Sequence, residues 1–200
     1  MNNEVGDVKI IMGSGECITT PSWIHTPKNE RNLLDANTWR TTFHKNSIKA
    51  ILAEHVKMNL TYEEGIKAAK LCFPYLQPFG YIRCSVPDGY CPDPSYQHTL
   101  QTKNFDFQNY TNDRYKTLHN YHTLTRMFER AGYEVQLLKY FDESGMLHQN
   151  EWADTERITY SPKENEPRNT RGEVVFPSLI VNAVKPGENK TKVNLVQRKF

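Results

Sequence analysis

The segment IKAILAEHVKMNLTYEEG, Ile48 to Gly65, carries the reading of the fold. Its opening apolar run predicts a buried strand over Ile48 to Ala53. Glu54 and His55 follow where that run stops. An unpaired carboxylate is costly in an apolar setting, so the pair is expected to surface at the strand's carboxyl end. In open α/β sheets that edge is where ligands sit. Thr61 then begins the strongest helix signal in the chain. Thr61 with Glu64 forms a capping box, apolar residues recur at Ile66, Ala69, Phe73 and Leu76, and Pro74 ends the last turn.

The chain on either side extends the pattern. Gln77-Pro78-Phe79-Gly80 is turn chemistry, and Ile82, Cys84 and Val86 alternate through the next strand, which completes a βαβ unit with a right-handed crossover. Upstream, VKIIM (Val8 to Met12) predicts a strand that runs into Gly13-Ser14-Gly15, where glycine allows positive φ and close approach of backbone to a ligand. A lone G-x-G is a weak signal. Residues 16–45 suit two very short strands around Trp23-Ile24 and Leu33-Leu34 and one helical turn at Thr38 to Phe43.

Residues 87–118 are rich in Pro, Asp, Asn and Tyr without sustained periodicity, and loops of that length are usually functional or disordered. Thr123 is placed to cap a helix carrying Leu124, Met127, Phe128 and Ala131, with Gly132 as its stop. YEVQLLKYF (Tyr133 to Phe141) reads as a strand, residues 142–172 as polar and irregular, and EVVFPSLIVNAVK (Glu173 to Lys185) as a last strand with Pro177 at a bulge or an edge. This alternation predicts a three-layer, Rossmann-like α/β domain with a mostly parallel sheet. The last two strands form an antiparallel pair at one edge. One domain spans 1–186, and 187–200 is a loosely held tail.

Composition narrows the function classes. Twenty-five basic residues are interspersed among 23 acidic ones, and a net charge of +2 argues against a nucleic-acid binder. Mean hydropathy is −0.72, as long polar loops would give. The sequence shows no signal peptide and no run of membrane-spanning length, and its four cysteines read as free, mostly buried thiols of a cytoplasmic protein. None of the seven histidines forms H-x-x-x-H, and the spacing of His119 and His122 occurs by chance, so no metal is expected. A G-x-S-x-G nucleophile elbow is also missing.

Taken together, KIIMGSGE, LLDANTW, SIKAILAEHV, LTYEEG, YLQPFGYIRCSVPDG, YHTLTRMFERAGYEV and SLIVNAVKP resemble a class I S-adenosylmethionine-dependent methyltransferase. More narrowly, they are similar to small bacterial methyltransferases, predicted as such, whose fourth strand ends in Glu-His-Val. The resemblance runs from about Val8 to Pro186. It implies a seven-stranded sheet with the seventh strand antiparallel and S-adenosyl-L-methionine as the cofactor; the minimal N-terminus before the first strand departs from the family, which usually has helices there. It further implies that Met12, Gly13, Ser14 and Gly15 contact the methionine part, that Asn32 and Leu33 hold the adenine, and that Glu54 and His55 floor the pocket beside the sulfonium. The family's ribose-binding acid would fall near Thr26-Pro27, with Glu30 as the nearest substitute. Met58-Asn59-Leu60 stands where relatives often repeat Glu-His.

On this resemblance the chain methylates a small molecule. His55 would be the base that takes the acceptor's proton, and Glu54 would accept from the cofactor's ammonium group or orient His55. Tyr90, Tyr96, Tyr110 and Tyr121 lie where a lid is expected, their electron-rich faces suited to a sulfonium, and Arg168 and Trp152 are further candidates for the pocket. Two alternatives stay open: another reaction at the sulfonium, such as an intramolecular cyclisation or a lyase, and a catalytically silent binding protein. No nucleic acid or membrane partner is expected, and a homodimer is among the open options for assembly.

Overall fold

The structure, a computed structural model, describes residues 7–12, 23–26, 34–54, 60–100, 116–150 and 177–187, without the side chains of His25 and Thr99. Strands β1 (Val8–Met12) and β2 (Ile24–Thr26) are followed by helix α1 (Ala36–Thr42), strand β3 (Ile48–Glu54), helix α2 (Tyr62–Cys72) and strand β4 (Leu76–Pro87). Helices α3 (Pro94–Thr99) and α4 (Tyr121–Arg130) precede strands β5 (Glu134–Phe141), β6 (Leu147–Gln149) and β7 (Ser178–Val184).

Local chemistry sets most of these boundaries. The Thr61 hydroxyl accepts from the Glu64 N–H at 3.3 Å while the Glu64 carboxylate accepts from the Thr61 N–H at 2.8 Å, so the capping box forms as expected. Pro74 lies in a single 3-10 turn, Phe73–Tyr75, that closes α2. The N-cap of helix α4 lies three residues earlier than predicted. Asn120 is the N-cap, its side chain accepts from the Thr123 N–H at 2.9 Å, and Thr123 returns the bond from inside the first turn. Gly132, at φ 98°, ends the helix as read.

The sheet is mixed, in the order β2-β1-β3-β4-β7-β5-β6. The β1/β2, β1/β3 and β3/β4 pairs are parallel, whereas β4/β7, β5/β7 and β5/β6 are antiparallel. Two expectations are corrected here. The pairing is not mostly parallel, and the last strand is not at an edge but inserted between β4 and β5. Its burial explains this, since Ser178, Leu179, Ile180 and Val181 are each at most 2% exposed, which suits a strand bonded on both sides. Pro177 directly precedes β7 and interrupts no ladder. The short edge strand β6 falls in a stretch that looked irregular because three residues carry too little pattern.

The Gln77 to Gly80 turn signal resolves as a bulge within β4. The register against β3 jumps between the Ile48–Leu76 and Ala50–Tyr81 pairs, and Phe79 turns outward at φ 62°. A Cβ on Gly80 would sit 2.9 Å from the carbonyl oxygens of Gln77 and Ile48, so only glycine passes there.

The core lies on one face of the sheet. Ile10, Met12, Ile51, Ala53, Ile82, Cys84 and Val86 pack against Trp39 of α1, Ile66 and Ala69 of α2, and Leu124, Met127 and Phe128 of α4. The opposite face carries Leu52, Arg83, Ser85, Ile180 and Lys139, all buried, with the Arg83 guanidinium donating to Asn182 Oδ1 at 2.9 Å. Helix α3 belongs to a second cluster with Cys91, Leu100 and Leu118. The expected three layers therefore reduce to one helical layer on the sheet and a separate α3 cluster among the described residues. Cys72, Cys84 and Cys91 are buried and form no disulfide among the described residues, and no described helix is long and apolar enough to cross a membrane.

Candidate functional site

Topology marks one edge of the sheet as the place for a ligand. From β1 the chain steps outward to β2, then returns to β3 on the other side of β1. The strand order reverses between β1 and β3, and the crevice outside the carboxyl ends of such a pair is the usual binding position of open α/β sheets. Register aligns Met12 with Thr26 and with Ala53, and Glu54 with Ser85, so β1, β2 and β3 finish nearly level while β4 runs two residues further, to Pro87.

The chemistry of that edge is uneven. Met12 is 6% exposed and belongs to the main core. Glu54 is half-buried, and strand alternation puts it on the face shared by Leu52 and Ser85. Directly across from it, Ser85 Oγ is fully buried and makes no hydrogen bond among the described residues. Thr26, where a ribose-binding acid would fall, spends its hydroxyl on the Ile11 carbonyl at 3.1 Å. The other expected contacts, Gly13, Ser14, Gly15, Glu30, Asn32, Leu33, His55, Tyr110, Trp152 and Arg168, lie outside the described residues.

Asp88, which sequence reasoning passed over, organises the neighbouring edge. It is the first residue after β4 and is 0% exposed. Its carboxylate accepts from the Tyr90 N–H at 3.0 Å and from the Phe141 N–H at 2.8 Å, while its backbone bridges to His119. One residue, through its side chain and its backbone, thus ties together the end of β4, the end of β5 and the strand-like approach to α4. Burial pushes its carboxyl up to about 6, against the pull of those two N–H groups and of Lys139. The available signal was the carboxylate of Pro87-Asp88-Gly89, set immediately after the strand in which Ile82, Cys84 and Val86 alternate.

This raised value has a thermodynamic consequence. Between pH 4 and 6 the folded chain holds a proton at Asp88 that the unfolded chain has lost. The corresponding stabilisation, about 3 kcal/mol, is present below pH 4 and disappears as pH rises through 6. A carbon-detected NMR titration of the Asp88 carboxyl is expected to give a midpoint near 6, and a midpoint at or below 4 would contradict this burial.

His119 is 1% exposed and completes this corner. Its ring lies 6.4 Å from that of Tyr62, and Thr117 just before it donates to the Leu60 carbonyl at 2.8 Å. The 116–119 segment thus runs between the start of α2 and the end of β4.

Two of the three described lid tyrosines come together. The Tyr90 and Tyr121 rings meet edge-on at 6.2 Å, Tyr121 lies 4.7 Å from Tyr140, and Tyr140 stacks on His148 at 4.8 Å. The Glu143 carboxylate accepts from the Tyr121 hydroxyl at 3.1 Å and contacts His122, while Asp142 contacts His148 at 2.7 Å. Both acids are held below the ordinary carboxylate range, Asp142 chiefly by His148 and Glu143 by its own backbone N–H and then His122. Tyr96 is elsewhere: it is 4% exposed, packs in the α3 cluster and donates to the Pro177 carbonyl at 2.9 Å. Such a buried, bonded hydroxyl pins α3 to the start of β7.

No family model matches the chain, and no curated protein matches it. Solved structures do. A SAM-dependent methyltransferase from Archaeoglobus fulgidus aligns over 90% of this chain and 87% of its own, at 16% identity and a TM-score of 0.52. A chain of the Haloferax volcanii complex between the Trm112 methyltransferase activator and a methyltransferase aligns over 90% and 82%, at 15% identity and a TM-score of 0.51. The chain therefore has the fold of the class I S-adenosylmethionine-dependent methyltransferases.

Proposed function

We propose that this protein is an S-adenosylmethionine-dependent methyltransferase acting on a small-molecule acceptor. The observation that carries the proposal is the reversal of strand order between β1 and β3, with a half-buried carboxylate, Glu54, at that edge. The donor set there suits such a cofactor. Glu54 offers an anion to a molecule bearing an ammonium and a sulfonium, and Ser85 offers a buried hydroxyl not engaged by any described residue.

When bound, S-adenosylmethionine supplies a methyl group on sulfur that is already a good leaving group. The protein's own task is then alignment and proton removal. Gly13, Ser14 and Gly15 would hold the methionine part beside Met12, Glu54 would accept from the ammonium end, and Asn32, Leu33 and Glu30 would hold the nucleoside. His55, next to Glu54 in the chain, takes the acceptor's proton. Tyr90 and Tyr121 face the acceptor side, and Arg168 is a further candidate there.

Calorimetry with S-adenosylmethionine is the first test, and an absence of binding would end this reading. The second is incubation with methyl-labelled cofactor and a panel of small amines and hydroxyl compounds, followed by mass spectrometry. Labelled acceptor is expected, falling about 10²- to 10⁴-fold in His55→Ala. Cleavage of the cofactor without any labelled acceptor would refute methyl transfer.

A further inference from the structure

From the grouping of Tyr90, Tyr121, Tyr140 and His148 around Glu143, we infer that this protein holds a recognition site for an alkylammonium group, and that its acceptor is a small cationic amine. This deepens the methyltransferase reading and rests on it for the word acceptor, although the site itself does not.

The first support is arrangement. Three tyrosine rings and an imidazole form one continuous, half-buried aromatic surface, with neighbouring tyrosine planes at 66° and 44° to one another. Rings inclined to one another leave faces pointing in more than one direction, and only a face, the negative part of the ring quadrupole, attracts a cation. An organic cation within about 6 Å of such faces is attracted by their quadrupoles, more strongly the less water reaches it.

The second support is charge. Glu143 reaches the Tyr121 hydroxyl with both carboxylate oxygens, at 3.1 and 3.2 Å, so an anion rims the same ring that contacts Tyr90, Tyr140 and His122. Asp142 lies beside it against His148. The basic side chains beside this group are His122, in contact with Glu143, and His148, in contact with Asp142, while Lys139 acts on Asp88. A bound anion would meet carboxylates; a cation would meet carboxylates and ring faces.

The third support is location. Asp88 holds the backbones of Tyr90 and Phe141 and bridges to His119, so the rings of Tyr90, Tyr140 and Tyr121 project from three segments fastened to one buried residue. That residue follows directly from β4, whose Ser85 pairs with Glu54. The aromatic surface is therefore rigidly referenced to the edge that carries the cofactor reading. An amine held there as its ammonium form must surrender a proton before its nitrogen can act as a nucleophile, which is the task assigned to His55.

The test uses choline as the probe and its uncharged carbon isostere, 3,3-dimethylbutan-1-ol, as the control, titrated into the full chain while tyrosine ring resonances are followed by NMR. Choline is expected to shift the Tyr121 and Tyr140 resonances with an affinity at least about tenfold above the neutral alcohol. Tyr121→Leu should weaken choline about fivefold or more, Tyr121→Phe should leave it within about twofold, and Glu143→Gln should weaken it about threefold. Equal responses to the two probes, or an unchanged affinity in Tyr121→Leu, would overturn the site; the folded state of each variant is read from the same spectra. Calorimetry with S-adenosylmethionine separates the two claims. Choline binding without cofactor binding keeps the site and removes the methyltransferase, and the reverse removes only the site.

Discussion

Replacing Glu54 with glutamine is expected to weaken S-adenosylmethionine about 10- to 100-fold in calorimetry, the value of a charge-assisted hydrogen bond to an ammonium group. The product S-adenosylhomocysteine should lose affinity by the same factor. Both molecules carry the ammonium, and only the first carries the sulfonium, so parallel losses locate the contact and a loss confined to the first would move Glu54 toward sulfur. Stability should change little, because Glu54 ends its strand half-buried while the residues before it, Ala50 to Ala53, are at 0% exposure. Unchanged affinity for both molecules would remove Glu54 from the binding site altogether.

The largest effect on stability is expected from Phe128→Ala. Phe128 is fully buried on α4, meets Tyr133 edge-on at 5.8 Å and belongs to the cluster that joins α2 and α4 to the sheet. Truncation removes the transfer free energy of the ring and leaves a void bordered by backbone-anchored neighbours that cannot fully collapse. The cost is about 3–5 kcal/mol, seen as a Tm lower by on the order of 10 °C. Phe128→Leu keeps most of the volume and should cost less than about 1.5 kcal/mol. A loss below about 1 kcal/mol in the alanine variant would mean that α4 is not seated on the sheet as described.

Some features were legible because their causes are local. Thr61 and Glu64 are three residues apart and satisfy each other's backbone partners, so their pattern alone announces a helix start. The Ile48 to Ala53 run and the alternation of Ile82, Cys84 and Val86 appear as β3 and β4, and Gly132 stops α4 where it was expected. Where two local solutions compete, the reading slipped. Asn120 and Thr123 can each cap the same helix, and the pair divides the roles opposite to expectation. Likewise, Pro78, Phe79 and Gly80 carry turn chemistry that serves equally for a bulge, and the neighbouring Lys185 decides it by pairing with both Phe79 and Gly80.

By itself the sequence determined an alternating α/β chain, the amphipathic faces of its helices, and a Glu-His pair set where a buried strand runs out. These follow from propensity, periodicity and the cost of burying charge, all of which act within a few residues. Only the tertiary structure decided that β7 enters between β4 and β5, that α1, α2 and α4 share one face, and that Tyr90, Tyr121 and Tyr140 gather while Tyr96 departs to pin α3. It also decided that Asp88 is buried at the meeting point of three segments. The physical reason is that each of these depends on partners tens of residues away, chosen by which backbone groups and apolar surfaces remain to be satisfied once the sheet has assembled.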